Sequence, residues 1–344
     1  MPKASTIIPL KLKEKTMFKN TIKRIAVFTS GGDAPGMNAA LRAVVRTAAH
    51  HDLHVFGIHN GYEGMIDGNM NRLEIRDVGN IIYRGGTILK TARSERFMTP
   101  EGRKNAYDAL RAFDIDACVA IGGNGTFTGA NVFSTDYDIP FIGIPGTIDN
   151  DLFGTDYTIG YDTAVNTAVQ AVDKIRDTAD SHNRLFFVEV MGRHSGFIAL
   201  STGIASGAGN VLIPESKTTI ESLVEKLRLG VKRKKMFGII LVAEGNELGS
   251  TQDIAQKISE EIDFYDTKVT IIGHMQRGGS PSALDRLLAS RLGYGAVEAL
   301  LDGHRNAMIG LVNNEIKLTP FHEAITTEKT PNQNLVKMAE ILAI

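Results

Sequence analysis

The chain has 344 residues, and its 38 basic and 39 acidic side chains give a formal net charge of -1 at pH 7. This balance excludes the general electrostatic attraction that strongly basic proteins have for nucleic acid or anionic membranes, so any anion site must be local. The length predicts two domains, with one large sheet as the alternative, and apolar stretches such as 237–243 are far shorter than the roughly 20 residues of a membrane-spanning helix.

The chain begins with residues 1–20, which carry several lysines but lack the continuous apolar segment and the cleavage site of a secretory signal. We expect a poorly ordered extension there. Cys118, the single cysteine, lies in an apolar run and cannot form an intrachain disulfide. We predict a buried structural thiol and a cytoplasmic protein, because a reducing compartment is where unpaired cysteines are usual.

Short apolar runs rich in Val and Ile predict strands that are buried on both faces, as in a parallel sheet. They begin at residues 24, 53, 117 and 140 in the first half of the chain and at 184, 237 and 268 in the second half. Helical patterns lie at 37–48, 162–181, 219–234 and 252–263. Strands that alternate with helices favour βαβ units, and such open sheets bind ligands at the carboxyl ends of their strands. We therefore predict an α/β fold with mainly parallel sheets.

The first strand ends in a glycine turn, TSGGDAPGMN, at 29–38. Gly31 and Gly32 would let backbone N–H groups approach a phosphate, and the following helix would add a partial positive charge at its N-terminus. The alternative is a tight turn with Asp33 as N-cap and Pro35 near the first helical position. The spacing is not that of a P-loop.

A second glycine turn, GGNGTFTGA at 122–130, follows another strand. Two such turns on neighbouring strand ends can together hold a polyphosphate, although each is also explained by a turn alone. Arg93 lies in a loop between them in sequence and is a candidate for neutralising phosphate charge. Its alternative is a solvated surface charge.

The stretch IPGTIDND at 144–151 ends an apolar strand with two carboxylates, Asp149 and Asp151, just after Thr147. Near two phosphate-binding turns, such a loop is suited to accepting a proton from an alcohol and to holding a divalent metal with a nucleotide. The alternative is an Asx turn in which Asp149 and Asn150 cap their own backbone.

Five motifs in order, TSGGDAPGMNAA, PGTIDND, GTDYTIG, EVMGRHSG and GHMQRGGSP, make the chain resemble the bacterial type of ATP-dependent 6-phosphofructokinase from about residue 23 to about 325. The resemblance implies two Rossmann-like three-layer αβα domains. It also implies transfer of the ATP γ-phosphoryl group to the 1-hydroxyl of fructose 6-phosphate in glycolysis, with Mg²⁺ as cofactor. We expect residues 21–159 plus 273–322 to form the larger, ATP-binding domain, and 160–272 plus 323–344 to form the smaller, sugar-binding domain.

The resemblance also implies roles for individual residues. Asp149 matches the general base, and the other catalytic matches are Thr147, Arg93, Asp151 and Arg193. The matches to the ATP site are Gly32, Tyr62 near the adenine, Arg93, Ser94, Gly123, Asn124, Gly125 and Thr126. The matches to the sugar site are Thr147, Ile148, Asp149, Met191, Gly192, Arg193, Glu244, Met275 and Gln276. The matches around the 6-phosphate are Arg184, Lys268, His274 and Arg277. In the family a neighbouring subunit supplies two of these cations, which implies a homotetramer with shared sites.

The sequence departs from the family at two places in the active site. Asn124 stands where an Asp usually serves the magnesium, so we expect Asn124 and Asp151 to be the metal ligands and the affinity for Mg²⁺ to be weaker. Lys268 replaces the usual Arg, which exchanges a bidentate fork for a point charge. Gly125 and Gly146 are the small residues that accompany the use of ATP, whereas pyrophosphate-dependent relatives carry bulkier, charged residues there.

The resemblance implies an allosteric nucleotide pocket that is only partly present. The matching basic residues are Arg42, Arg46, Arg176, Arg233 and Lys235, whereas Asn69 replaces an Arg and Gly209 replaces a metal-binding Glu. A solvated helix face is the alternative for Arg42 and Arg46. We expect blunted activation by ADP with some anion binding retained.

Rival functions are a nicotinamide dehydrogenase, a NAD or lipid kinase, a pyrophosphate-dependent phosphofructokinase and a catalytically weak regulatory homologue. The first lacks the G-x-G-x-x-G spacing and a suitably placed acidic residue, and the second shares only the turn GGNGT. The weak homologue is compatible with Asn124.

Overall fold

The computed structural model describes residues 22–182, 184–233 and 238–343. The predicted extension at 1–20 and Lys235 lie outside the described residues. The strands are β1 Arg24–Thr29, β2 His54–Ile58, β3 Met70–Leu73, β4 Ala117–Gly122, β5 Phe141–Pro145, β6 Arg184–Val190, β7 Asn210–Leu212, β8 Gly238–Ala243, β9 Asp266–Ile271, β10 Ala307–Val312 and β11 Glu315–Pro320. All seven predicted strands are present.

The α-helices are α1 Met37–His50, α2 Gly61–Ile66, α3 Pro100–Ala112, α4 Asn124–Tyr137, α5 Tyr161–His182, α6 Phe197–Ser206, α7 Ile220–Lys232, α8 Thr251–Glu261, α9 Ala283–Leu301, α10 Phe321–Thr326 and α11 Gln333–Leu342. Short 3-10 helices lie at Arg96–Met98 and Gly273–Arg277. The four predicted helices correspond to α1, α5, α7 and α8. No helix of the described ranges is long and apolar enough to cross a membrane.

The structure divides into two compact units. The first contains the described residues up to Thr147, together with Leu152–Asp162 and Arg277–Glu328. The second contains Ile148–Asp151, Thr163–Gln276 and the residues from Lys329 onward. The predicted bounds at 160, 273 and 323 lie a few residues earlier in the chain. The prediction also kept 148–151 in the larger domain, whereas the structure groups this acidic stretch with the second unit.

The first unit is built on a seven-stranded sheet in the order β11-β10-β5-β4-β1-β2-β3. Its central strands are parallel, and the pairs β2–β3 and β10–β11 are antiparallel. Helices α1 and α9 pack together. A cluster of buried apolar side chains, including Phe28, Phe127, Phe141 and Phe321, joins β1, β4 and β5 to α4 and α10. Because β4 and β5 are buried along their whole length, they show the continuous apolar runs that the sequence displays.

The second unit is built on a four-stranded sheet in the order β7-β8-β6-β9, and every pair is parallel. Leu185, Phe187 and Ile240 of this sheet are buried with apolar residues of α7 and α8. Helix α7 begins at a capping box in which Thr219 and Ser222 bond each other's backbone N–H groups. The predicted α/β fold with mainly parallel sheets is confirmed.

Register aligns the polar ends of the strands in the first unit. Thr29 at the end of β1 pairs with Ile121 of β4, and Gly122 pairs with Pro145 at the end of β5. The turns that follow these three strands therefore lie side by side at the carboxyl end of the sheet, which is where parallel sheets bind ligands.

Candidate active site

The first glycine turn exposes its backbone to solvent and is bonded to the second glycine turn. Gly31 is in the left-handed region at φ 85° and Gly32 is exposed. The hydroxyl of Thr126 donates to the carbonyl oxygen of Ser30 at 3.0 Å, which joins this turn to the second one. The alternative reading with Asp33 as N-cap is wrong. Helix α1 begins at Met37, and Gly36, at φ 112°, occupies the N-cap position.

Arg277 lies against this turn. Its guanidinium donates to the Asp33 carbonyl at 3.3 Å, and a Cβ added to Gly32 would lie 2.6 Å from its Nη1 atom. Only glycine allows this approach without moving the arginine. The resemblance predicted Arg277 at the sugar 6-phosphate. In the structure its guanidinium lies beside the first glycine turn, where it places a positive charge.

The second turn lies between β4 and α4. The chain passes so close to the first turn that a Cβ on Gly122 would lie 2.5 Å from the Ser30 carbonyl oxygen. Gly123 is the N-cap of α4 and supplies no side-chain acceptor, so the first N–H groups of the helix remain available to an anion. Gly125 is exposed, and a Cβ there would meet nothing within 4 Å.

Asn124 opens α4 with a polar atom whose environment is unusual. Its Oδ1 atom is buried and has no hydrogen-bond partner in the structure. An unsatisfied buried oxygen is costly unless a ligand completes it, and an amide oxygen is an accepted ligand of Mg²⁺ or of its bound water. Within the described residues, no group of three or more His, Cys, Asp or Glu side chains is arranged to hold a metal by itself. A metal here would therefore depend on phosphate oxygens for much of its coordination.

The loop that carries Arg93 is tied to α2. Ser94 donates its hydroxyl proton to Glu63 at 2.5 Å, and Arg96 donates to Glu63 at 2.6 Å and to Asp67 at 2.9 Å. The hydrogen bond from Ser94, followed by that from Arg96, lowers the pKa of the Glu63 carboxyl. Arg93 itself is exposed, and no ion pair of the described ranges includes it. Its guanidinium is therefore available for a phosphate.

Tyr62 is a buried residue that contacts both the loop after Arg93 and the start of α4. Its side chain is only 6% exposed, its ring stacks on Phe97 at 4.0 Å, and its hydroxyl donates to the Thr126 carbonyl at 2.5 Å. Burial raises its pKa. The Tyr62 hydroxyl proton is engaged in this hydrogen bond, and the role near the adenine stays a prediction. Gly129 lies on this ring, since a Cβ there would be 2.9 Å from it.

The acidic stretch continues from β5. In the first unit, Gly146 donates to the Gly122 carbonyl at 2.9 Å, and the Thr147 carbonyl accepts from Thr158 at 2.6 Å. A Cβ on Gly123 would be 3.5 Å from Thr147, so Thr147 lies beside the second turn. In the second unit, Asp149 and Asn150 are 5% and 3% exposed.

Contacts within the second unit hold this stretch. Ser195 donates its hydroxyl proton to the Asp149 carbonyl at 2.9 Å, and Lys329 donates to Asn150 Oδ1 at 3.0 Å. Burial raises the pKa of the Asp151 carboxyl, while a backbone hydrogen bond and the charges of Arg193 and Lys329 act in the opposite direction. These contacts join residues far apart in sequence, and no local spacing signals them.

Met191 and Glu244, two of the predicted sugar contacts, directly follow the last residues of β6 and β8, and these residues, Val190 and Ala243, pair in register. The Arg193 N–H donates to the Glu244 carboxylate at 3.2 Å. Gln276 is fully buried and accepts from the Met191 N–H at 2.8 Å. Gln276 therefore fixes the backbone of Met191 across a sequence separation of 85, and its contact with the sugar stays a prediction. His274 and Met275 are exposed beside it.

The predicted 6-phosphate cluster does not assemble within the second unit. Arg184 is the first residue of β6 and Lys268 pairs with Phe186, whereas Met191 follows the last residue of β6, roughly 20 Å away at about 3.3 Å per residue. Asp266 bridges the two cations, at 2.9 Å from Arg184 Nε and 2.7 Å from Lys268 Nζ. Lys268, followed by Arg184, lowers the pKa of Asp266.

The predicted allosteric residues are distributed over both units. In the first, Arg42 and Arg46 lie one turn apart on α1, and burial together with the charge of Arg46 lowers the pKa of Arg42. In the second, Arg176 donates to the carbonyl oxygens of Ser206 and Gly207. Arg233 lines a largely apolar cavity of about 480 Å³.

Comparison with known proteins agrees with these features. The family model described as phosphofructokinase matches residues 24–300. A protein of Cytophaga hutchinsonii named ATP-dependent 6-phosphofructokinase is 54% identical over 321 residues, which cover 93% of this chain and 98% of that protein.

Two solved structures extend the comparison. The phosphofructokinase from Saccharomyces cerevisiae has a TM-score of 0.85 and 38% identity, covering 94% of this chain and 48% of that one. A pyrophosphate-dependent phosphofructokinase from Marinobacter aquaeolei has a TM-score of 0.80 and 25% identity, covering 91% and 86%. The family model spans most of the sequence and includes both glycine turns and the acidic stretch. The chain therefore belongs to the phosphofructokinase family.

Proposed function

We propose that the protein is an ATP-dependent 6-phosphofructokinase, which transfers the γ-phosphoryl group of ATP to the 1-hydroxyl of fructose 6-phosphate in cytoplasmic glycolysis. The observation that carries the proposal is the course of the chain through 147–151. Thr147 lies against the N-cap of α4, and two residues later stands Asp149, which is 5% exposed. The proposed base, Asp149, therefore follows closely in the chain after Thr147, which lines the proposed phosphate site.

The chemistry needs a proton acceptor, alignment and positive charge. Asp149 accepts the proton of the sugar hydroxyl as that oxygen attacks the γ-phosphorus, and the bond from this phosphorus to the β,γ-bridging oxygen breaks to release ADP. The free guanidinium of Arg93 and the N–H groups of Gly32 and of the start of α4 stabilise the charge on the transferring phosphoryl oxygens. Arg193 and Glu244 orient the sugar, the carboxylate by accepting hydrogen bonds from its hydroxyls.

Mg²⁺ fits the residues present. Asn124 Oδ1 and the Asp151 carboxylate are hard oxygen donors, and two protein ligands complemented by phosphates and water are the usual environment of Mg²⁺ in such enzymes. When bound, the ion neutralises part of the charge on the transferring phosphates. Asn124 brings no negative charge to the ion, unlike an Asp at the same position.

ATP rather than pyrophosphate is the proposed donor. The open space beside Gly125 leaves room for a nucleotide, and a Cβ on Gly146 would be 3.0 Å from Ile121 and 3.2 Å from Met37. A charged side chain at 146 would require the surrounding core to shift. These two positions are the ones predicted to be bulky and charged in pyrophosphate-dependent relatives.

A coupled assay with ATP or pyrophosphate, at varied Mg²⁺, tests the proposal. We expect ATP-dependent formation of fructose 1,6-bisphosphate that falls by about 10³-fold or more in Asp149→Ser, with the KM values for both substrates changed little. Asp180→Ser, on the exposed side of α5, is the control. Turnover with pyrophosphate alone would refute ATP use, and no turnover with either donor would favour the regulatory homologue.

We further propose a homotetramer in which a neighbouring copy completes the 6-phosphate site. The support is the separation of Arg184 and Lys268 from the sugar contacts at the other end of β6. Arg184→Ala and Asp149→Ser should each be nearly inactive, yet mixing and reassembly should restore activity at the sites that combine two intact halves. Restoration absent from demonstrably mixed oligomers would refute shared sites.

A further inference from the structure

The acidic stretch carries an unusual backbone conformation at its centre. Asn150 has φ 53°, in the left-handed region, and is 3% exposed. Residues with a side chain adopt this region rarely, although Asn tolerates it better than most. Since Asn150 stands between Asp149 and Asp151, its conformation sets the directions in which both carboxylates leave the backbone.

A lysine from the end of the chain holds this residue. Lys329 is the first residue of the last stretch of the second unit, and its ammonium donates to Asn150 Oδ1 at 3.0 Å. The same Nζ atom lies 5.1 Å from the centre of the Phe197 ring at the start of α6. The ammonium is therefore located by two groups of its own unit, a ring face and an amide oxygen.

The backbone of the stretch is held from another side. Ser195 donates to the Asp149 carbonyl at 2.9 Å and lies 3.0 Å from the Gly192 carbonyl oxygen. Ser195 thus fixes the backbone of Asp149, whereas Lys329 fixes the side chain of Asn150. The two contacts reach neighbouring residues, so each fixes a different part of the turn.

We propose that Lys329 is a positioning residue for phosphoryl transfer, which locks the turn at Asn150 and thereby aims the Asp149 carboxylate. This inference rests on the proposed function. The lysine acts through Asn150 and touches no reacting atom. If Lys329 had only a structural role, an apolar side chain that covers Phe197 would keep kcat unchanged. A variant with such a side chain therefore distinguishes the two roles.

Three substitutions separate the charge, the hydrogen bond and the packing. Lys329→Met keeps the stem over Phe197 but removes the donor and the charge, Lys329→Gln keeps a neutral donor, and Lys329→Arg keeps both. Misplacement of a catalytic group by about 1 Å costs on the order of 10²-fold in rate. We expect kcat to fall about 10²-fold in Lys329→Met and less in Lys329→Gln. It should recover to within about tenfold of wild type in Lys329→Arg, and the KM for ATP should stay within about twofold throughout.

Lys337→Met is the matched control, because Lys337 is an exposed lysine of the same terminal stretch. A second test places Lys329→Met in the Asp149→Ser background. If the lysine acts by aiming Asp149, it should cost far less there than in the wild type. The inference is overturned if Lys329→Met keeps wild-type kcat, or if it lowers kcat equally in both backgrounds. An inactive wild type would instead overturn the proposed function.

Discussion

The clamp formed by Glu63 offers a sharp test of how the first unit presents Arg93. Glu63 on α2 accepts from Ser94 at 2.5 Å and from Arg96 at 2.6 Å, so one carboxylate holds the loop on the C-terminal side of Arg93. Phe97 adds an apolar anchor by stacking on Tyr62. Glu63→Ala removes the hydrogen bonds of Ser94 and Arg96 to this carboxylate, and leaves the aromatic contact and the hydrogen bond from Arg96 to Asp67.

The expected size of the effect follows from the exposure of these groups. The side chain of Glu63 is 28% exposed and that of Arg96 is 53% exposed. The ion pair with Arg96 therefore contributes little, because water screens it. The charge-assisted hydrogen bond from Ser94 is less exposed and is worth about 1 kcal/mol. If ATP binding must restore the order of this loop, about 1 kcal/mol raises the KM for ATP roughly fivefold. Glu63→Gln keeps an acceptor for Ser94 and should raise it only about threefold.

The assay is the KM for ATP at saturating fructose 6-phosphate, measured beside the melting temperature. Asp108→Asn is the matched control, because it removes an ion pair with Lys104 on α3 in the same unit without touching the loop. Trypsin should also cleave after Arg93 or Arg96 faster in Glu63→Ala. A KM for ATP that stays within twofold of wild type, despite a melting temperature lowered relative to Asp108→Asn, would refute the clamp as a determinant of nucleotide binding.

Two further predictions concern Asn124 and Cys118. Asn124→Asp adds a negative charge to the proposed metal site and should lower the Mg²⁺ concentration for half-maximal activity several-fold; an unchanged Mg²⁺ titration would contradict the assignment of Asn124 as a ligand. Cys118 is fully buried in β4, and burial raises its pKa, so the thiol should resist alkylation at pH 8 until the protein unfolds. Mass spectrometry of native and denaturant-treated samples checks this, and rapid labelling of the native protein would contradict the burial.

The local patterns of the sequence determined much of this protein. Apolar runs from 24, 117 and 140 became fully enclosed strands, because periodicity and length are set by neighbouring residues. The glycine turns were located correctly for the same reason. The observed start of α1 at Met37 agrees with the periodicity, whereas Asp33, the N-cap of the alternative interpretation, lies three residues before the observed N-cap Gly36.

Tertiary structure alone decided which distant residues support the site. Lys329 reaches Asn150 across a sequence separation of 179, and Ser195 reaches Asp149 across 46. No spacing rule predicts such pairs, because they depend on how strands and crossovers bring chain segments together. The fold likewise buried Tyr62, brought Arg277 to Gly32, and separated Arg184 from the sugar contacts along the length of β6. Local sequence therefore specified the elements and the reactive groups, whereas long-range packing specified the direction in which those groups point.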